Sequence, residues 1–215
     1  MKLFHSPSSP FVRKVMVCAI ELGLRDRIEC VASAAHPIDR NPSIVALNPL
    51  GQVPTLVTDD GLALYDSRVI CEYLDHLAGR SSLFPQQVLL RWNALRDQAL
   101  ADGLLDAALL IRYERVVRDE AARSEPWTRG QLDKVEKALA TIERLAGDYA
   151  ARADIGTISV ACALGYLDFR FPEVEWRHTC RNAARWFAGF SQRESIRDTL
   201  PANAPSTPAH PDRGR

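Results

Sequence analysis

Apolar and polar positions along the first 80 residues change period several times. Lys2–Phe4 reads as a short first strand, ended by the turn residues of Ser6-Pro7-Ser8-Ser9-Pro10. Val12, Val15, Met16, Ala19 and Ile20 then recur at spacings of three and four, which predicts a helix over Phe11–Leu24, stopped by Gly23. Pro10 suits the first helical turn, where its missing N–H costs nothing. Ile28–Ala32 reads as a second strand. Strand, helix and strand in so short a span form a βαβ unit, which pairs its strands in parallel. His36–Pro49 is polar and holds Pro37, Pro42 and Pro49, so it reads as a loop with one short helix at Pro42–Leu47. Val53–Thr58 and Leu62–Tyr65 flank Asp59-Asp60-Gly61, a strong hairpin signal. Asp66-Ser67 offers a cap for a helix over Val69–Leu77, with Gly79 after it.

After that β-α-β-α-β-β-α run the pattern becomes purely helical. Gly79–Pro85 has linker composition. Val88–Val117 predicts a long amphipathic helix, bent near Gly103. Leu132, Val135, Leu139, Ile142 and Leu145 make a second helical stripe. Asp154–Phe169 is apolar nearly all round, which places it at the centre of a helical domain, and Arg177–Phe190 gives a further helix. From Pro201 the chain is rich in proline and small polar residues and is expected to be disordered. The fold class is thus α/β plus all-α: a domain over residues 1–78, a linker over 79–87, a helical domain over 88–200 and a tail over 201–215. No internal repeat is visible.

Composition narrows the chemistry. With 215 residues the chain can bury a sizeable core. Lys and Arg number 27 and so do Asp and Glu, so no bulk field is available to hold nucleic acid or an anionic membrane. No apolar run reaches membrane-spanning length. The first residues lack a basic head followed by an apolar stretch, so they do not read as a secretory signal. Cys18, Cys30, Cys71, Cys162 and Cys180 are odd in number and scattered, which points to reduced thiols and a cytoplasmic protein. Cys18, Cys71 and Cys162 lie in apolar helical stretches and read as small core residues. His5, His36, His76, His178 and His210 have no metal-ligand spacing, so no metal is expected.

Three strings carry a resemblance: Ser8-Ser9-Pro10-Phe11-Val12-Arg13-Lys14-Val15, Asn48-Pro49-Leu50-Gly51-Gln52-Val53-Pro54-Thr55-Leu56, and Tyr65-Asp66-Ser67-Arg68-Val69-Ile70 ahead of Tyr73-Leu74. In this order and spacing the chain resembles the soluble glutathione transferases over all but its tail. Leu164-Gly165-Tyr166-Leu167-Asp168-Phe169-Arg170 is similar to one bacterial subgroup of that family. The resemblance implies a thioredoxin-like domain that binds glutathione and a helical domain that supplies a second-substrate pocket. It also implies a homodimer, paired through the third helix and the first long one.

The residues suit that chemistry. Ser9 falls where a strand gives way to a helix, so free N–H groups and the positive helix end favour an anion there. No cysteine pair stands in Ser9-Pro10-Phe11-Val12, so the chain cannot form a disulfide at this turn. A hydroxyl remains that can donate to a thiolate held by another molecule. Lowering a thiol pKa from about 8.5 by roughly two units needs about 2.7 kcal/mol. One charge-assisted hydrogen bond of about 1.5–3 kcal/mol plus a helix end of about 0.3–1 kcal/mol supplies that. Read locally, Ser9 simply caps the helix, and Ser6 or Ser8 would serve equally. In the family the Val53-Pro54 bond is cis and the Val53 backbone pairs with the cysteinyl part of glutathione; read locally, Pro54 is an ordinary proline at a strand start. Asp66 and Ser67 cap a helix, and free N–H groups at Ser67 and Arg68 with the Ser67 hydroxyl would hold the γ-glutamyl carboxylate, Asp66 facing its ammonium group.

For the glycyl end the resemblance suggests Gln52 and His36, the latter equally readable as a surface histidine. Phe11, Arg112 and Tyr113 are candidates for the second-substrate pocket, although most helical aromatics are core. Glutathione enters as co-substrate, its partner a small hydrophobic electrophile. The alternatives are a non-catalytic glutathione-binding or docking scaffold and a glutathione-dependent disulfide reductase or peroxidase. One departure from the family stands out. The central helix there opens with Ser or Thr and carries Asp three residues on, whereas here Asp154 and Thr157 reverse that order. Asp154 still suits a cap, but Thr157 is expected to be a poor partner for reaching back.

Overall fold

The structure, a computed structural model, describes residues 1–79, 82–150 and 152–203. Linker residues 80 and 81 lie outside the described residues, as does the tail expected over 201–215 from residue 204 onward; of its first three residues, the Ala202 N–H donates to the Pro7 carbonyl at 3.2 Å. β1 (Lys2–His5) and β2 (Glu29–Ala32) pair in parallel, Leu3 opposite Cys30, around α1 (Pro10–Glu21). After α2 (Pro42–Val45), β3 (Thr55–Val57) runs antiparallel to β1 and β4 (Ala63–Leu64) antiparallel to β3. The sheet order is β2-β1-β3-β4, and α3 (Ser67–Ala78) closes the first domain. Both hairpin strands are shorter than their apolar runs. Val53 and Pro54 precede the ladder, and Tyr65 belongs to the turn into α3. At the hairpin the Thr58 N–H donates to the Leu62 carbonyl at 2.9 Å, and Gly61 takes φ +88°, a conformation that disfavours a Cβ.

α4 (Val88–Val117) is unbroken through Gly103, and α5 (Glu125–Leu145) begins a full two turns before the Leu132 stripe, capped by Ser124. α6 (Ile155–Arg170) is the central helix, with every residue from Ile155 to Leu167 buried. The expected helix over Arg177–Phe190 is divided into α7 (Trp176–Thr179) and α8 (Arg181–Phe190), because Cys180 between them has non-helical backbone. A short α9 (Glu194–Arg197), unexpected from the pattern, packs on α1.

The expectation for Thr157 is overturned. Its Oγ1 accepts the Asp154 N–H at 3.0 Å while Asp154 Oδ1 accepts the Thr157 N–H at 3.1 Å. The reciprocal cap is complete with the residue types exchanged, because it needs a side-chain acceptor at each end and a hydroxyl is one.

The two domains share buried polar ties. The Leu83 N–H donates to Asp75 on α3 and the Leu83 carbonyl accepts from the Ile155 N–H, both at 2.9 Å. Lys14 on α1, fully buried, meets Asp102 on α4 at 2.6 Å. Removing one partner of such a pair strands a buried charge, at a cost of about 3–5 kcal/mol. Among the described residues no helix is long and apolar enough to cross a membrane.

Candidate functional site

The sheet register brings three of the expected segments to one end of the first domain. Phe4 pairs with Thr55, so the turn after β1, which carries Ser9, lies beside Val53 and Pro54 just ahead of β3. Leu56 pairs with Leu64, so the residues leaving β4, Tyr65 to Ser67, emerge at that same end.

Ser9 is the N-cap of α1. Its Oγ accepts the Val12 N–H at 3.3 Å, while Ser6 and Ser8 face each other at 3.3 Å instead of capping. The cap uses a lone pair and leaves the hydroxyl proton free to donate outward, so capping and anion stabilisation are compatible in one side chain.

The Val53–Pro54 bond is cis. Behind it the buried Asn48 organises the loop: its Nδ2 donates to Thr55 Oγ1 at 3.0 Å and its Oδ1 accepts the Leu50 N–H at 3.0 Å. Gln52 is exposed, and its carbonyl accepts from Thr55 Oγ1 at 2.8 Å.

At the start of α3, Asp66 Oδ1 accepts the Arg68 N–H at 2.9 Å. The Arg68 N–H is therefore not free, a correction to the sequence reading: the aspartate closes the cap with its own side chain. Ser67 is buried and Asp66 exposed, so the acidic group stands at the rim. Arg68 turns its side chain away and donates from Nε to Asp102 Oδ2 at 2.8 Å. Asp102 thereby joins Lys14 of α1 and Arg68 of α3 to α4, directly behind the segments that carry Ser9 and Asp66. Its carboxylate holds the Arg68 guanidinium above the ordinary value, whereas burial, then Asp102, pushes the carboxyl of Asp106 one turn onward up.

His36 is exposed and spends its Nδ1 on the loop, accepting the Ile38 and Asp39 N–H groups at 3.3 and 3.0 Å. Phe11 is half-buried, with the Lys14 ammonium 5.6 Å from its ring centre. Arg112 and Tyr113 are half-buried on α4, about 15 Å along the helix from Asp102. Tyr113 shares a face with Asp102 and Asp106 through spacings of four, three and four via Leu109.

Sequence reasoning missed Lys14, Arg68, Asp102 and Asn48 as organisers of this end. The available signal was an acidic residue interrupting an otherwise apolar stripe on α4, which leaves its partner unspecified.

Two cavities flank α1, one of about 570 Å³ walled by residues including His5, Met16 and Cys30, the other of about 410 Å³ beside Gly165 and Phe187. Neither has Ser9, Val53 or Asp66 in its walls. Among the described residues no cluster of three or more His, Cys, Asp or Glu could hold a metal ion.

The family profile described as Glutathione S-transferase, N-terminal domain, matches residues 8–77, and that of the Glutathione S-transferase, C-terminal domain, matches 125–189. The uncharacterized GST-like protein YibF of Escherichia coli K12 is 32% identical over 207 residues, 95% of this chain and 100% of that protein. A glutathione transferase family member from Pseudomonas fluorescens Pf-5, crystallised with bound glutathione, is 45% identical with a TM-score of 0.91, covering 94% of this chain and 98% of that one. A further Pf-5 family-member crystal, with bound S-(propanoic acid)-glutathione, is 45% identical with a TM-score of 0.86 over 94% of this chain and 100% of that one. A glutathione S-transferase from Methylobacterium radiotolerans, in complex with glutathione sulfonate, is 35% identical with a TM-score of 0.87, covering 96% of this chain and 97% of that one.

Proposed function

The chain belongs to the glutathione S-transferase family, and from that premise we propose that it binds glutathione, holds the sulfur as thiolate through Ser9, and conjugates it to a small electrophile. The observation that carries this reading is the convergence of Ser9, Val53–Pro54 and Asp66–Ser67 at one end of the sheet. A tripeptide can span the three. The Val53 backbone pairs with the cysteinyl unit. The Ser67 N–H and hydroxyl take the γ-glutamyl carboxylate, and Asp66 at the rim faces its ammonium group. Gln52 lies toward the glycyl end, where His36 retains only its Nε2 for a ligand.

In the reaction the thiol proton passes to solvent and the sulfur attacks an electrophilic carbon. The new S–C bond forms as the leaving group departs with its electron pair. The protein supplies position and anion stabilisation. The second substrate lies toward Phe11, Arg112 and Tyr113, between the glutathione-binding domain of residues 1–78 and the helical domain of 88–200, which the 79–87 linker joins. The thioether held by the Pf-5 relative supports a pocket sized for small groups on the sulfur.

A disulfide-reductase reading gains no support. The exposed cysteine, Cys30, is on the edge strand β2, where partial desolvation by its surroundings pushes its thiol up. We also read the protein as a homodimer of the cytoplasm. Calorimetry with glutathione and turnover of an aryl halide test the main reading together: a protein that does not bind glutathione ends it, and one that binds without turnover on a broad electrophile panel is a scaffold.

A further inference from the structure

Two arginines near the C-terminal ends of α4 and α6 lack counter-charges among the described residues. Arg112 on α4 and Arg170 in the last turn of α6 form no ion pair among the described residues, and the buried Nε of Arg170 has no hydrogen-bond partner. The acidic side chains nearest them in sequence are already taken. Glu114 binds Arg118 at 2.9 Å and the Ser124 N–H at 2.6 Å. Glu173 binds Arg115 at 2.6 Å, and Asp168 binds Arg177 at 2.6 Å and the Trp176 indole at 2.9 Å.

The surroundings are aromatic. The Arg170 guanidinium lies 3.9 Å from the centre of the Phe169 ring, and Tyr166 packs on Phe171. The end of α4 lies against the residues that follow α6, where Arg115 binds Glu173 and stands 5.2 Å from the centre of the Phe171 ring, and there Arg112, after burial, lowers the Arg170 pKa. The carbonyls at the end of α6 offer Arg170 partial negative charge but no full countercharge. Burial pushes the Tyr166 phenol up to about 12, so it stays a neutral donor beside them.

The helix that carries Arg170 packs on α1. Gly165, next to Tyr166, lies so close to Arg13 that a Cβ there would overlap its guanidinium, and Arg13 is one turn from Ser9. Tyr113 adjoins Arg112 on the α4 face that carries Asp102, the partner of Lys14.

We propose that Arg112 and Arg170 together receive a carboxylate on the electrophile, so that the second substrate is a small acid and not a neutral hydrophobe. This rests on the glutathione-conjugating reading above and deepens it. A planar carboxylate matches the guanidinium fork, and a monoanion costs less to desolvate among aromatic rings than a phosphate dianion. It also removes the mutual repulsion of two cations that the fold leaves uncompensated. With an aryl chloride acid the balance is simple: the glutathione sulfur bonds to the ring carbon, chloride leaves with its electron pair, and the carboxylate is unchanged.

The test uses matched pairs differing only in acid against amide. Calorimetry compares S-carboxyethyl-glutathione with S-carbamoylethyl-glutathione, and turnover compares a chloronitrobenzoate with its amide, normalised to the uncatalysed rates. The wild-type protein is expected to prefer the acid about tenfold or more, and the preference should shrink as salt rises. In Arg112→Gln and Arg170→Gln the acid-to-amide ratio should fall toward one, with Arg112→Met and Arg170→Met as the substitutes should a glutamine variant not fold. A wild-type ratio near one overturns the proposal, and so does a ratio that survives in both variants. Acid preference in binding without any turnover leaves the carboxylate site standing and removes the conjugation reading. Failure to bind glutathione removes both.

Discussion

The cap at Ser9 and the thiolate donor proposed for it use one oxygen, and the two can be separated. Its lone pair closes the first turn of α1 on the Val12 N–H, which leaves its proton uncommitted. Glycine is nearly as good an N-cap as serine, whereas alanine costs about 1 kcal/mol. Ser9→Gly should therefore keep stability within a few tenths of a kcal/mol while losing the hydroxyl donor; Ser9→Ala should lose both. In either variant the thiol of bound glutathione should titrate about one to two pH units higher, the equivalent of one charge-assisted hydrogen bond. Ultraviolet absorbance of the thiolate against pH reads this directly. An unshifted titration in both variants would remove Ser9 from the chemistry and leave only its cap.

Helix packing shows where reading from sequence ended. The apolar periods placed α1, α3, α4 and α6 to within a few residues, because buried stripes and caps are local. The partners were not legible. Lys14 is an ordinary charged residue in the α1 pattern until the fold sets Asp102 against it, and Thr157 looks a poor cap partner by residue type although the cap requires only an acceptor. The same holds for glycines. Gly156 and Gly103 look alike in sequence, yet a Cβ at Gly156 would sit 2.7 Å from the Ala94 carbonyl oxygen, and one at Gly103 would meet nothing within 4 Å. Gly156→Ala should force α6 off α4 and cost about 1–3 kcal/mol. Gly103→Ala, on an exposed helix position, should stabilise by about 0.5–1 kcal/mol. Thermal unfolding would show opposite shifts, each about 2–4 °C per kcal/mol for a chain of this size; shifts of the same sign would contradict the helix contact.

At the scale of the molecule, the C-terminal segment is strapped across α1. Arg193 grips Glu21 through Nε at 2.9 Å and Nη2 at 2.6 Å, Ser195 donates to the same carboxylate, and Arg13 donates to the Ile196 carbonyl at 3.1 Å. Arg193, followed by Ser195, holds the Glu21 carboxyl below its ordinary value. A depressed carboxylate stabilises the fold above the unfolded pKa, near 4.5, and that contribution is lost as pH falls through the lower folded value. Glu21→Gln should thus cost about 1 kcal/mol near neutrality, discounted for partial exposure, and the difference from wild type should close in acid. A gap independent of pH would place the effect elsewhere.

The start of α4 and the neighbouring α3 present apolar side chains to water: Val88, Leu89 and Trp92 on the first turns of α4, and Val69 on α3, which Arg91 and Glu72 tie together at 2.7 Å. Trp92 is 63% exposed and Val88 70%, uncommon for residues of this size in one patch. A second copy of the chain would bury such a face symmetrically, and a stable pairing needs about 800 Å² from each copy. The wild-type protein should then sediment at twice its 23.9 kDa chain mass, and Trp92→Glu, by placing two like charges against each other across the two-fold axis, should release monomers that keep their helical content. A wild-type protein that sediments as a monomer at micromolar concentration would show that this apolar face stays open in solution.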